Sequence, residues 1–270
     1  MKAQRNDRSG WAIAAALSLF ALLILLPVRT PAVAAQYRII YVDANAGDNT
    51  NDGQTPETAF ATIQAAIDDS NNGDTVIIAP GTYTGPGNRD IDFRGKAITA
   101  RSTDPNDPDI VAATVIDCNG TNDDPHRGFN FHSGETRASI LAGLTITGGH
   151  APNEPSPNGY YARPAGGAIR CSDGSSPVIR QCIITENAAG RKYWDDDCMR
   201  PPCPEPSFRY MEGLGAAIYV EDGGNPFIDR CTVRNNTVLE SGGRGAGLYV
   251  ASGMPTVTRC SFRDNSAKHG

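Results

Sequence analysis

Three residues at one offset of a recurring segment, Arg170, Tyr219 and Tyr249, stand at the centres of IRC, IYV and LYV. In a strand of alternating side chains each lies between two apolar neighbours and so faces the opposite way. Two long stretches ahead of these segments carry more rings. They are HAPNEPSPNGYYARPAGG with Tyr160 and Tyr161, and AAGRKYWDDDCMRPPCPEPSFRYMEG with Tyr193, Trp194, Phe208 and Tyr210. Flat rings with polar edges suit sugar binding, because a ring covers the apolar C–H face of a pyranose. The same aromatics also serve a second reading, in which they pack the stretches onto the fold.

Acidic residues offer a different chemistry. Asp173 and Asp222 each lie four residues after an equivalent isoleucine, Ile169 and Ile218, and each is followed by Gly. Two carboxylates brought together share a cation such as calcium or raise one another's pKa. An Asp-Gly pair is also ordinary turn chemistry. The run Asp195, Asp196, Asp197 is a further set of possible ligands or a solvated loop, and DANAGDNTNDG at 43–53 is rich in oxygen ligands but lacks the spacing of an EF-hand. Cys198 and Cys203 are spaced to close the longer stretch with a disulfide. His126, His132 and His150 are scattered and read as surface or turn residues.

The elements that must position these groups are visible as repeats. PVIRQCIITEN at 177–187 returns as PFIDRCTVRNN at 226 and PTVTRCSFRDN at 255. Taking Cys182, Cys231 and Cys260 as the register, Pro177, Pro226 and Pro255 lie five before and Asn187, Asn236 and Asn265 five after. Apolar Ile179, Ile228 and Val257 lie three before, and Ile184, Val233 and Phe262 two after. An older copy, LAGLTITGG at 141–149, keeps Leu141, Leu144 and Ile146 but has Gly149 at the Asn position. A second shared strand precedes each copy: GGAIRCSDG, GAAIYVEDG and GAGLYVASG.

Short strands that cannot bury their own apolar face, repeated at this length, predict a stacked solenoid in which each strand pairs with its copy in the next coil. Equivalent residues then stack about 4.8 Å apart. Asn on Asn satisfies amide groups at a bend. Stacked interior Cys is read as packing, with metal or a disulfide as the alternatives. From Asn236 to Leu248 the chain takes 12 residues, from Gly149 to Ile169 it takes 20, and from Asn187 to Ile218 it takes 31. One corner therefore carries insertions of 8 and 19 residues in adjacent coils, where function on a rigid scaffold tends to sit.

Composition agrees with an all-β protein: 29 Gly and 19 Pro among 270 residues call for frequent turns and short strands. The first 35 residues read as a signal peptide, with Lys2, Arg5 and Arg8, then WAIAAALSLFALLILL, then PAVAA. The apolar run of 16 residues is shorter than the roughly 20 that span a bilayer, so the sequence predicts cleavage and no stable membrane insertion. Residues 36–270 would then carry 20 basic against 29 acidic side chains, which argues against nucleic acid as a partner. A secreted or cell-surface location follows.

The stretch YVDANAGDNTNDGQTPETAFATIQAAIDDSNNGDTVIIAPGTYTG, together with FRGKAITARS and VIDCNG, resembles the opening coils of right-handed parallel β-helix proteins, the pectin-lyase-like superfamily. The resemblance covers roughly 37–270. It implies a cap segment over 36–75 and coils over 76–270. Phe60, Ile63 and Ile67 would lie on one face of a short helix begun by Thr58 and covering the end of the solenoid. NSAKHG stops where the next strand is due, so later coils are expected beyond it.

Lyases of that superfamily take calcium on Asp ligands and use Lys or Arg as base, for which Lys192, Arg170 and Arg209 are candidates by position. The polygalacturonase-like set of Asn-Thr-Asp, paired Asp, Gly-His-Gly and Arg-Ile-Lys finds no match. Three functions follow: an exported solenoid that binds polysaccharide or cell-surface glycan at the aromatic corner, a polysaccharide lyase or glycoside hydrolase in the same groove, or a structural or adhesive surface solenoid.

Overall fold

The computed structural model of the chain describes residues 37–154, 163–194, 208–239 and 242–267. Three parallel sheets form the walls of a β-helix. The first runs through Ile39–Val42, Thr75–Ile78, Thr99–Ser102, Ile140–Ala142, Val178–Arg180, Phe227–Asp229 and Thr256–Thr258. The second stacks Gly81–Tyr83, Thr114–Asp117, Thr145–Thr147, Ile183–Thr185, Thr232–Arg234 and Ser261–Arg263. The third stacks Phe129–Phe131, Ile169–Cys171, Ile218–Val220 and Leu248–Val250.

The register is the one the repeats predict. Leu141, Ile179, Ile228 and Val257 pair in succession, and so do Ile146, Ile184, Val233 and Phe262. These columns are fully buried until the last rung. There Val257 is 39% and Phe262 42% exposed, because no described rung lies over them. The Cys column is packing: Cys182, Cys231 and Cys260 are free thiols, the first two buried. Hydrogen bonds with Cys182 and Cys260, then burial, hold the Cys231 thiol well above its ordinary range.

How the chain turns at the corners was not visible in the sequence. Strict alternation would send Cys182 outward after inward Ile179 and outward Arg180. One left-handed residue, Gln181 at φ 55°, resets the alternation, and Arg230, Arg259 and Gly143 do the same in their coils. A second such residue precedes each Asn position: Glu186, Asn235, Asp264 and Gly148. Each non-glycine at φ > 0 costs about 1 kcal/mol. The Asn ladder supplies the offset. Asn187 donates from Nδ2 to Asn236 Oδ1 at 3.0 Å, and Asn236 from Nδ2 to Asn265 Oδ1 at 2.9 Å.

The N-terminal segment differs from expectation in two ways. The strand Ile39–Val42 already forms the first rung against Thr75–Ile78, so the coils begin before residue 76. The helix spans Ile63–Asp69 and is capped by Thr62, whose side chain accepts from Ala65 N–H. Thr58 instead closes a one-turn 3-10 helix, Pro56–Thr58, in a capping box with Thr55. The apolar face is as predicted: Ile63, Ala66 and Ile67 are buried in the same core as Phe60. The oxygen-rich segment is spent on its own turns. Asp43, Asp48 and Asp52 each accept from a backbone N–H two residues on, and these bonds hold Asp48 and Asp52 below the usual carboxylate range.

Candidate functional site

Both insertions leave and return at the corner between the second and third sheets. Their outgoing ends stack, with His150 bridged to Ala188 and Ala188–Ala189 paired with Thr237–Val238. Their returning ends stack as well, through Ala165, Leu214 and Arg244. Small side chains make this close approach possible, and Ala151, Ala189, Ala216, Val238 and Ala246 form a cluster of their own. The arms of the longer insertion pair antiparallel, Arg191–Trp194 with Phe208–Met211, as do Asn153–Glu154 and Arg163–Pro164 in the shorter one. In the backbone register Lys192 stands opposite Tyr210, Tyr193 opposite Arg209 and Trp194 opposite Phe208. Tyr160, Tyr161, Asp195, Asp196, Asp197, Cys198 and Cys203 lie outside the described residues.

The third sheet brings the central candidates together. Asn130, Arg170, Tyr219 and Tyr249 occupy one outward column on four successive rungs. The two tyrosine rings stack at 6.0 Å with 4° between their planes. Tyr219 was expected to be exposed, but it is only 5% exposed and packs with Ala165 and Leu214 of the returning arms. Tyr249, against the same cluster, is half-buried and is the ring that meets solvent. Arg170 is held by Glu221, with Nη2 at 2.6 Å and Nε at 2.9 Å from Oε1. The Tyr219 hydroxyl donates to Glu221 Oε2 at 2.9 Å. Burial and then the Glu221 charge push the Tyr219 phenol up, so it remains a donor. Asn130 Oδ1 accepts at 3.4 Å from both Arg170 and Arg127.

Glu221, Asn130 and Arg127 were not among the sequence candidates. Glu221 follows Tyr219 by two and so shares its face, and FNFHSG at 129–134 aligns with IRCSDG at 169–174; both signals were present.

Asp173 and Asp222 stack as predicted, with Gly174 N–H donating to Asp222 O at 2.9 Å. Each occupies the first central position of a turn, followed by Gly174 or Gly223, all four at φ between 47° and 76°. The turns close from Ser175 N–H to Ser172 O and from Gly224 N–H to Glu221 O, both at 2.9 Å. This is type I′ geometry, which selects Asp-Gly for its backbone alone. Among the described residues no three His, Cys, Asp or Glu side chains gather as a metal site. Two histidines are half-buried beside carboxylates, His126 with Asp90 and His132 with Asp92. His150, expected at the surface, is buried under the insertion corner and contacts Gly190 O at 2.9 Å.

Stacked parallel coils, interior ladders and insertions gathered at one corner define a parallel β-helix protein. A family model described as Right handed beta helix region matches residues 112–270, and the chain belongs to that family. No curated protein matches. Among solved structures, the GH136 lacto-N-biosidase from Eubacterium ramulus is 13% identical, with 85% of this chain and 35% of that one covered and a TM-score of 0.38. A rhamnogalacturonan lyase is 15% identical, with 83% and 62% covered and a TM-score of 0.35. Pectate lyase Pel9A is 15% identical, with 87% and 80% covered and a TM-score of 0.27. The chain thus spans about a third of the first and less than two thirds of the second.

Proposed function

We propose that this chain is an exported β-helix protein that binds polysaccharide along the outer face of its third sheet, beside the two insertions. The observation that carries the reading is the in-register column Asn130, Arg170, Tyr219 and Tyr249 at the foot of both insertions. Tyr219 is the buried support, Tyr249 the stacking surface, and Arg170 a polar contact fixed in place by Glu221. By the same proposal Trp194, Tyr193 and Tyr210 of the longer insertion and Tyr160 and Tyr161 of the shorter one contribute further rings to the glycan.

A glycan array followed by calorimetry tests this. Tyr249→Ala should weaken the best ligand by about 1–3 kcal/mol, taking base stacking as the analogue for sugar stacking. Trp194→Ala should weaken it similarly. Unchanged binding by both folded variants would refute the groove. Absorbance of an unsaturated product on incubation would move the assignment to a lyase, and an array without ligands to a scaffold.

Export is part of the proposal and rests on the basic, apolar and small-residue succession of residues 1–35. In an oxidising compartment Cys198 and Cys203 would close the longer hairpin, while the buried thiols Cys118 and Cys171, pushed up by burial, stay unreactive. Among the described residues no helix is long and apolar enough to cross a membrane. Intact mass of the secreted protein should correspond to a chain starting near Gln36 and lacking two hydrogens. A retained N-terminus, or alkylation of Cys198 without prior reduction, would contradict this.

A further inference from the structure

A second face of the solenoid carries charge that the groove does not use. On the outer side of the second sheet, Thr185, Arg234 and Arg263 pair on three successive rungs. Adjacent rungs are about 4.8 Å apart, so two guanidinium-bearing side chains stand directly opposite one another, an arrangement that is destabilising when nothing lies between them. Three other arginines of these coils are paired: Arg259 and Arg230 hold Asp229, and Arg170 holds Glu221. Arg234 and Arg263 have neither an ion pair nor a side-chain hydrogen bond among the described residues. Arg263 is exposed and Arg234 half-buried.

The rung beneath them adds an independent sign. Thr185 is 6% exposed, and its hydroxyl is buried with no hydrogen-bond partner. A buried hydroxyl left unpaired is unfavourable, and native structures seldom keep one without a purpose. We propose that Thr185, Arg234 and Arg263 form an oxyanion site, which takes a sulfate or carboxylate group of an acidic glycan. Guanidinium forks match the paired oxygens of such groups, and an anion lying across two rungs removes the repulsion between them. The exposed corner residues Glu186 and Asp264 flank the column. Together with the chain's net charge of −6 they restrict it to a local anion and disfavour a nucleic acid backbone.

The test uses the full chain and the double variant Arg234→Thr/Arg263→Thr, which continues the Thr of the rung below and keeps a strand-forming residue. Inorganic sulfate should raise the wild-type melting temperature above the value in sodium chloride of equal ionic strength, and the double variant should show no such difference. Without anion the variant should melt at or above the wild type, because repulsion has been removed. A sulfated glycan (heparin) and a carboxylated glycan (alginate) reveal which group is taken: at least one should bind the wild type about tenfold more tightly than the variant. Equal sulfate shifts in the two proteins, equal glycan affinity, or a DNA duplex bound as tightly as the better glycan would each overturn the site. Arg263→Lys, which keeps the charge and loses the fork, should fall between wild type and double variant.

Discussion

Replacing Asn236 by Ala should lower the free energy of unfolding by about 3–5 kcal/mol, since each buried polar group left without its partner costs about 1–3 kcal/mol. The side chain is fully buried. Its Oδ1 accepts from the backbone N–H and the Nδ2 of Asn187, both at 3.0 Å. Its Nδ2 lies 2.9 Å from Arg234 O, 3.0 Å from Ile184 O and 2.9 Å from Asn265 Oδ1. Alanine removes all of these at once. The effect is not confined to one residue, because the backbone N–H of Asn187 loses its acceptor, while its Nδ2 keeps Ile146 O and Thr185 O and its Oδ1 still holds Gly149 N–H at 2.9 Å. Asn265→Ala, on the half-buried last described rung, should cost clearly less. Urea unfolding with exchange of the Asn187 amide would read both variants. A loss under about 1 kcal/mol for Asn236→Ala would mean that the ladder is decoration on a stack held by its apolar columns.

The ladder was legible because stacking enforces identity: a residue that must bond its own copy recurs at a fixed offset. The same holds for the columns of Ile179 and Ile184, and for the outward column of Arg170, Tyr219 and Tyr249, whose register was set by period two. What was not legible depends on backbone demand or on tertiary cover. Gln181, Arg230 and Arg259 share φ near 53°, yet none is the Gly, Asn or Asp that marks a left-handed position, so the corner gave no turn signal to read. Tyr219 is buried by Ala165 and Leu214, which reach it only because the insertions return in a stack; no local signal distinguishes it from Tyr249. The cap helix began at Thr62 and not Thr58 because an N-cap is chosen by which threonine meets a free helical N–H, and four threonines between 50 and 62 offered that chemistry.

Gly149 is where repeat logic and geometry disagree, and Gly149→Asn is expected to destabilise the fold by about 3 kcal/mol or more, an overpacking effect at the upper end for a core substitution. By sequence offset this position should be Asn, so the substitution would repair the oldest copy and extend the ladder by one rung. The structure rules that out on space. A Cβ at 149 would lie 2.0 Å from Gly167 O and 2.7 Å from its carbonyl carbon, and backbone cannot yield as a side chain does. Gly167 is itself pinned there, since a Cβ on it would meet Ala188 O at 2.4 Å. The returning arm of the shorter insertion therefore crosses the corner through two glycines, and the ladder stops where that arm comes in. The backbone N–H of Gly149 already makes the ladder's N–H bond to Asn187 Oδ1, so it is space and not register that excludes the side chain. Gly174→Asn is the control. Gly174 sits at φ 71° with nothing within 4 Å of an added Cβ, and Asn tolerates that conformation at a cost of about 1 kcal/mol or less. Thermal melts of Gly149→Ala, Gly149→Asn and Gly174→Asn side by side decide the point. Both variants at 149 should melt far below wild type and the 174 variant close to it, whereas a Gly149→Asn protein melting at or above wild type would show that the insertion corner is looser than its backbone contacts require.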